Sequence, residues 1–298
     1  MRWLILNRYD PRNTVLYMTT FVDYLKRAGH MVYGPGHDGF EANRPLGDVI
    51  NYSKCDAVLA VDKRQDWHNG LRRAGLPKAW LMADYFPAKN QVVRYNRVIE
   101  RDRYDLLLAQ TAPEYARLSE DKRRYIPMSV DPDYFQDMRL DRDIDIAAPW
   151  NALPKYYPLR PVIRKRLHQG AWTAHTDYVF YRGYVKLLNR SKLFVNSGTV
   201  FLNIQSRYTE AAACGCLMLT DDSAPDDFER QGWIDGLNMV IWRGLNDLTD
   251  KIEYYLAHEA ERVHIAANAQ KMVLRRYTHA HTEARIKEAL VSLDGSRN

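Results

Sequence analysis

The sequence predicts an α/β protein built from two Rossmann-like domains facing a cleft, and three observations carry that prediction. The chain opens strand, helix, strand: residues 2–7 are an apolar run, residues 14–28 place apolar side chains at helical spacing, and Gly29 separates them from a second run at 30–33. Such an opening starts a doubly wound parallel sheet. The alternation halts in a polar, turn-rich segment around residues 129–143 and then restarts. Finally, 298 residues suit two domains of roughly 130–160 residues each. The boundary is placed at 135/136, giving domains 1–135 and 136–298, with the last helix expected to pack back on the first domain.

The elements follow in order. After the opening unit, residues 34–39 (Gly-Pro-Gly-His-Asp-Gly) read as a loop at a strand's carboxyl end, where ligands of such sheets sit. Residues 56–61 and 79–83 read as strands with a helix at 67–74 between them, and 105–109 and 124–127 as two more strands. The basic run 89–103 reads as a solvated helix face, with contact to an anionic acceptor as the alternative. In the second half, 144–148 is a strand, 149–158 a loop with two aromatic clusters, and 159–168 a helix rich in Arg and Lys. Residues 178–181, 193–196 and 200–203 read as strands or edge segments, with a short helix at 184–191. A strand at 238–242 and helices at 245–256, 260–277 and 281–293 complete the chain. No sequence repeat relates the halves.

Composition narrows the class. Apolar content of 46% supports real cores, and a net charge of +6 permits anionic partners without demanding nucleic acid. The three cysteines, Cys55, Cys214 and Cys216, lie in apolar surroundings, and Cys-Gly-Cys is too tight for a zinc knuckle, so they read as reduced core thiols. The opening apolar run is too short for a signal peptide and no run reaches membrane-span length, so a cytoplasmic protein is expected. A Gly-x-Gly-x-x-Gly after the first strand and a Walker-type loop are both missing, which argues against a dinucleotide or P-loop site.

The most informative stretch is 205–222, which reads loop, short helix, glycine, buried strand, acidic loop. Ser206 is a plausible N-cap, Glu210-Ala-Ala-Ala-Cys214 is strong helix sequence, and Gly215 sits where the helix stops. The helix start offers free N–H groups beside Arg207, an anion site suited to a diphosphate. Glu210 lies one turn further in, where a carboxylate can accept hydrogen bonds from sugar or ribose hydroxyls.

Beyond these readings, the chain resembles glycosyltransferases of the two-Rossmann GT-B architecture, and more narrowly the group-one transferases related to the spore-maturation CgeB proteins. The resemblance rests on residues 184–196, on 207–221 (Arg-Tyr-Thr-Glu-Ala-Ala-Ala-Cys-Gly-Cys-Leu-Met-Leu-Thr-Asp), on 248–256 with Glu261, Arg262, Ile265, Ala266, Tyr277 and Thr278, and on the crossover-like 126–135. It implies an acceptor-side first domain and a second domain that binds a nucleotide sugar, a UDP-sugar above others, as co-substrate. In that frame Glu210 would hold ribose or sugar hydroxyls, and Ser206 and Arg207 would meet the diphosphate. Arg182 and Tyr184 would belong to the base-binding edge, with Asn151 and Arg160 where phosphate-binding residues are often found. The pattern departs from many retaining members at Leu202 and Asn203, where a second glutamate is usual, and at Pro149-Trp150-Asn151.

These features lead to the expectation of a transferase that moves a sugar, a hexose first, to a hydroxyl acceptor without metal or other cofactor, since helix N-termini and Arg can stabilise a departing diphosphate. Asp221 and Asp222 read as capping or hydroxyl-binding carboxylates rather than metal ligands. An inverting reaction needs a base near the acceptor; Asp84, ending a strand of the first domain, is the candidate, with Asp10 and the His37-Asp38 loop as rivals. DNA is kept as a possible acceptor because of the basic run. Alternative readings are a DNA glycosyltransferase acting on hydroxymethylated bases, a nucleotide-sugar epimerase, or a non-catalytic binding protein of the same fold.

Overall fold

The computed structural model describes residues 1–9, 16–61, 68, 70–82, 89–110, 119–200 and 204–295. The chain forms two compact units, Met1–Pro127 with His279–Asn298, and Met128–Thr278.

In the first unit, strands β1 (Trp3–Leu6), β2 (Met31–Tyr33), β3 (Ala57–Val61), β4 (Lys78–Met82), β5 (Leu106–Ala109) and β6 (Arg123–Tyr125) form one parallel sheet in the order β2-β1-β3-β4-β5-β6. The central strands are continuous apolar runs because both faces are covered, and their side chains alternate between two cores. Leu4, Leu6, Val58, Ala60, Trp80 and Leu107 pack with α2 (Leu46–Ser53) and α3 (Lys89–Asp102). Trp3, Ile5, Leu59, Leu81 and Leu108 pack on the other face with α1 (Leu16–Arg27) and with Ile286 and Leu290 of the last helix, His279–Gly295.

That last helix is fixed to α1 by polar groups as well as by the core. Glu283 accepts hydrogen bonds from the Tyr24 hydroxyl (2.6 Å) and from Nε2 of His30 (3.0 Å), whose Nδ1 accepts the Trp3 N–H at 3.0 Å. His279 is fully buried, 3.1 Å from the Thr20 hydroxyl and edge-on to the rings of Tyr17, Phe21 and Tyr24.

The second unit repeats the winding. β7 (Ile144–Ala147), β8 (Ala174–His175), β9 (Ser191–Val195), β10 (Leu217–Asp221) and β11 (Val240–Trp242) form a parallel sheet in the order β8-β7-β9-β10-β11. Both sheets therefore run second, first, third, fourth, fifth, and each has a switch point where the chain reverses direction across the sheet: β1/β3 in one and β7/β9 in the other. Such points are where doubly wound sheets take their ligands. The helices of this unit are α4 (Arg160–Leu167), α5 (Tyr181–Arg190), α6 (Ser206–Ala213), α7 (Pro225–Gln231), α8 (Leu245–Ala257) and α9 (Glu259–Arg276), and the chain's last helix is α10.

Several expectations need correction. Residues 178–181 are not a strand: Tyr181 starts α5, and the strand in this region is the two-residue β8. Between β3 and β4 the described helix is a single 3₁₀ turn, Leu71–Arg73, with 62–67 outside the described residues. Val200 lies in a turn, and 201–203 are outside the described residues. The helix α2 was not anticipated, because Pro45 and Gly47 mask its apolar spacing. All three cysteines are buried and free, and no helix among the described residues is long and apolar enough to cross a membrane.

Burial, followed by the charge of Arg27, pushes the pKa of His279 down to about 3. Its folded-state pKa is depressed, so the stability it contributes is complete above the ordinary pKa near 6.5 and is lost as the pH falls from there towards 3. Chemical denaturation at pH 7.5 and pH 5 is expected to show a loss for the wild type that exceeds the loss for His279→Gln by about 2 kcal/mol; equal losses would refute the assignment.

Candidate functional site

The second unit gathers polar side chains at the β7/β9 switch point, and their scaffold is a buried tryptophan. Trp150 follows β7, is fully buried, and donates its indole N–H to the carbonyl of Val195 at the end of β9 (2.7 Å). Arg160 and Arg164, one turn apart on α4, lie against its ring at 5.2 and 5.8 Å. Arg160 is 1% exposed. Its guanidinium donates to the carbonyls of Asn151 (3.0 Å) and Ser197 (3.2 Å), to Oδ1 of Asn196 (3.3 Å) and to Oε1 of Gln205 (2.7 Å), and covers the Tyr157 ring at 3.5 Å. One cation thus ties together the loop after β7, the end of β9 and the residue that precedes α6.

The loop between β9 and α6 is held from the other side by carboxylates. Both oxygens of Asp221, the last residue of β10, accept the Gly198 N–H (3.0 and 3.2 Å), and one also accepts the Ser223 hydroxyl at 2.6 Å. Asp227 accepts the N–H of Ile204 at 3.3 Å. Asp221 therefore serves the backbone, and Asp222 pairs with Arg243 at 3.2 Å. Gly198 leaves no room for a side chain, since a Cβ there would lie 1.7 Å from Oγ of Ser223.

The loop delivers α6 to the switch point. The N-cap is Gln205, in extended conformation, rather than Ser206, which is the first helical residue. The Gln205 side chain makes no capping bond because Arg160 engages it instead. The first turn also carries no acidic residue, and with the Tyr208 N–H bonded to the Gln205 carbonyl (3.2 Å) it offers the N–H groups of Ser206 and Arg207 to an anion. At the other end, Gly215 closes the helix with bonds from Gly215 N–H to Ala212 O and from Cys216 N–H to Ala211 O. Arg142 and Gln270 donate to the carbonyls of Cys214 (2.7 Å) and Ala213 (3.0 Å).

Arg207 reaches from the first turn of α6 to the Pro149 carbonyl (3.3 Å) and lies over the Tyr184 ring at 5.8 Å. Neither Arg160 nor Arg207 is in an ion pair among the described residues, and each feels the other. Burial, then Arg207, push Arg160 down to about 9, still cationic at neutral pH. Burial works against the charge of Arg207, but Tyr184 and Glu210 more than offset it and hold its pKa above the ordinary value. Glu210 is 4% exposed; burial raises its pKa, while Arg207, Ser206 and Tyr184 act in the opposite direction. The Tyr184 hydroxyl is buried with no partner in hydrogen-bonding geometry. Burial and then Glu210 keep it protonated, and it in turn favours the charged carboxylate of Glu210 beside it.

Of the residues singled out from the sequence, Arg160, Tyr184, Ser206, Arg207 and Glu210 lie in this neighbourhood. Asn151 contributes its carbonyl, and its exposed side chain accepts the Leu153 N–H at 3.0 Å. Arg182 is exposed and stacks over Tyr134 at 4.5 Å. Asp84 and Asp10 lie outside the described residues. In the basic run, α3 exposes Arg94, Arg97 and Arg101, the last paired to Asp102, and Arg103 is exposed in the turn that follows.

Residues 145–288 match the family model described as glycosyl transferase-like. The whole chain is similar in fold to HepE (Alr3699) of Anabaena in complex with UDP-glucose, with a TM-score of 0.71 at 14% identity, covering 98% of this chain and 100% of that one. It is also similar to sucrose-phosphate synthase of Thermosynechococcus elongatus (TM-score 0.68, 9% identity, 99% and 100% covered). A third similar structure is an α-glucosyltransferase in complex with UDP-glucose and DNA containing an abasic site (TM-score 0.64, 9% identity, 97% and 98% covered). No curated protein matches the sequence. The chain has the two-sheet α/β fold of these glycosyltransferases.

Sequence reasoning missed the supporting roles of Trp150, Asn196 and Gln205. Each ends a strand or abuts a helix start, a signal that becomes specific only once the strand order is known. The close approach at Gly198 gives a test. Gly198→Ala is expected to cost about 1–3 kcal/mol in thermal or chemical denaturation, with part of the loss recovered in Gly198→Ala/Ser223→Gly; full stability of the single variant would contradict the packing described.

Proposed function

We propose that the chain transfers a sugar, a hexose, from a nucleotide-sugar donor, a UDP-sugar, to a hydroxyl acceptor, and that it does so without a metal. The observation that carries the donor assignment is the pair of cations, Arg160 and Arg207, at an open helix N-terminus with no carboxylate paired to either among the described residues. Two buried or half-buried cations side by side favour an anion between them, and a diphosphate supplies two adjacent negative groups that a helix N-terminus also attracts. In this reading the first-turn N–H groups and Arg207 hold the diphosphate, and Arg160 keeps the surrounding loops in place while adding its field.

As the bond between sugar and diphosphate breaks, negative charge grows on the leaving oxygen. Arg207 and the helix N-terminus stabilise that charge where it develops, which is the role a metal plays in other transferases. Glu210, with the Tyr184 hydroxyl beside it, accepts hydrogen bonds from ribose or sugar hydroxyls. Arg182 contributes to the base-binding edge. The UDP-glucose named in the HepE complex supports a uridine donor, and the segments 184–196 and 207–221 support a CgeB-like position within the group-one transferases.

UDP is expected to raise the melting temperature, and its affinity is expected to fall roughly 10–100-fold in Arg207→Ala, the value of one charge-assisted hydrogen bond. Glu210→Ala should keep its fold by circular dichroism yet lose affinity for the UDP-sugar; unchanged affinity in either variant would contradict the placement of the donor. Transfer or donor hydrolysis is expected to persist in excess EDTA, and its loss would overturn metal independence.

A further inference from the structure

The chain's positive charge is unevenly placed. In the second unit basic and acidic residues are equal in number, 19 of each, so the whole net charge of +6 belongs to the first unit. Within that unit the two helical layers differ. On one face of the sheet, α1 and α10 mix Lys26, Arg27, Arg285 and Lys287 with Asp23, Glu283 and Glu288. On the other face, the layer of α2, the 3₁₀ turn Leu71–Arg73 and α3 is rich in arginine.

The packing of that layer turns the arginines outward. In α3, Tyr95 and Ile99 are four residues apart and enter the core, which leaves Arg94, Arg97 and Arg101 on the opposite stripe, with Arg103 exposed in the turn beyond. The 3₁₀ turn buries Leu71 in the same core and exposes Arg72 and Arg73, and it packs against both α2 and α3. The layer's carboxylates are Glu41, paired to Arg44, Asp102, paired to Arg101, and the exposed Asp48 and Glu100. Among the described residues, the side chains of Arg72, Arg73, Arg97 and Arg103 meet no carboxylate and no other acceptor. The same surface exposes two apolar groups. Val93, one turn before Arg97, is 44% exposed, and Tyr52 of α2 is 71% exposed with the Arg44 guanidinium 5.5 Å over its ring.

We propose that the outer face of this layer docks on an anionic lipid surface, with Arg72, Arg73, Arg97 and Arg103 against headgroup phosphates and Val93 and Tyr52 at the boundary with the acyl chains. A guanidinium fork matches phosphate oxygens, and a bilayer presents many of them in one plane, as this layer presents its cations from neighbouring elements. Apolar groups among the cations gain from burial at the headgroup boundary, where a tyrosine ring is also at home. A nucleic acid would leave Val93 in water and would call for open ring faces to stack on bases, whereas the Tyr52 ring is covered by Arg44.

The test is flotation of the full chain with vesicles of phosphatidylcholine alone and of phosphatidylcholine mixed in equal parts with phosphatidylglycerol. Binding is expected to the mixed vesicles only, and to fall away as salt is raised to about 1 M, where the Debye length is about 3 Å. Arg72→Ala/Arg73→Ala/Arg97→Ala should lower the partition coefficient by about fivefold per arginine, on the order of 100-fold in all, with the melting temperature preserved. Lys26→Ala/Arg27→Ala/Lys287→Ala removes the same charge from the opposite layer and should leave most of the binding intact. Val93→Ser should weaken the binding that survives at high salt. Equal losses in the two triple variants would reduce the effect to net charge and overturn the proposal, as would equal binding to both vesicles or none to either. Binding of duplex DNA at the same salt, with the mixed vesicles ignored, would assign the face to nucleic acid and overturn it too.

Discussion

The second unit depends on one buried guanidinium. Arg160 meets four neutral acceptors and a tyrosine face but no carboxylate, so the protein has withdrawn a cation from water with dipoles alone to compensate it. Such a group is costly where its bonds are imperfect, and it is retained here where three segments of chain must converge. Removing it would free the loop after β7, the end of β9 and the start of α6 together, because no other side chain described touches all three. Its charge, added to that of Arg207, also gives the site a field that favours an anion before one is bound.

The two sheets put the same topology to different use. Each reverses at the junction of its first and third strands, and at each junction an asparagine or tryptophan side chain bridges the two strand ends: Asn7 to Val61 in one, Trp150 to Val195 in the other. In the second unit the bridge supports cations and an open helix start, suited to a diphosphate. In the first it meets the imidazole of His37. Two copies of one topology, whose sequences show no repeat, thus carry different polar groups at the same place.

Much of the fold was legible because fully buried parallel strands are continuous apolar runs, and β1, β3, β4, β5, β9 and β10 are of that kind. The short elements were not. Residues 178–181 are rich in aromatics and carry strand propensity, yet Tyr181 takes φ of +48° and opens α5, a choice set by its surroundings in the fold. Of the site, Arg207 and Glu210 were legible from helix chemistry alone. Arg160 was legible as a basic residue in the right place, but its binding to loop carbonyls depends on Asn196, Ser197 and Gln205, which lie 36–45 residues away in the chain. The Ser206 cap was displaced by one residue because Arg160 occupies the Gln205 side chain.

On the proposed reading, the cations at the β7/β9 switch point hold the diphosphate of the donor. A crystal structure of the protein with UDP tests it most directly. The diphosphate is expected within hydrogen-bonding distance, about 2.7–3.2 Å, of the Arg207 guanidinium and the first-turn N–H groups of α6, with Glu210 near a ribose or sugar hydroxyl. A diphosphate bound elsewhere, with Arg207 still on the Pro149 carbonyl and the start of α6 unoccupied, would contradict it.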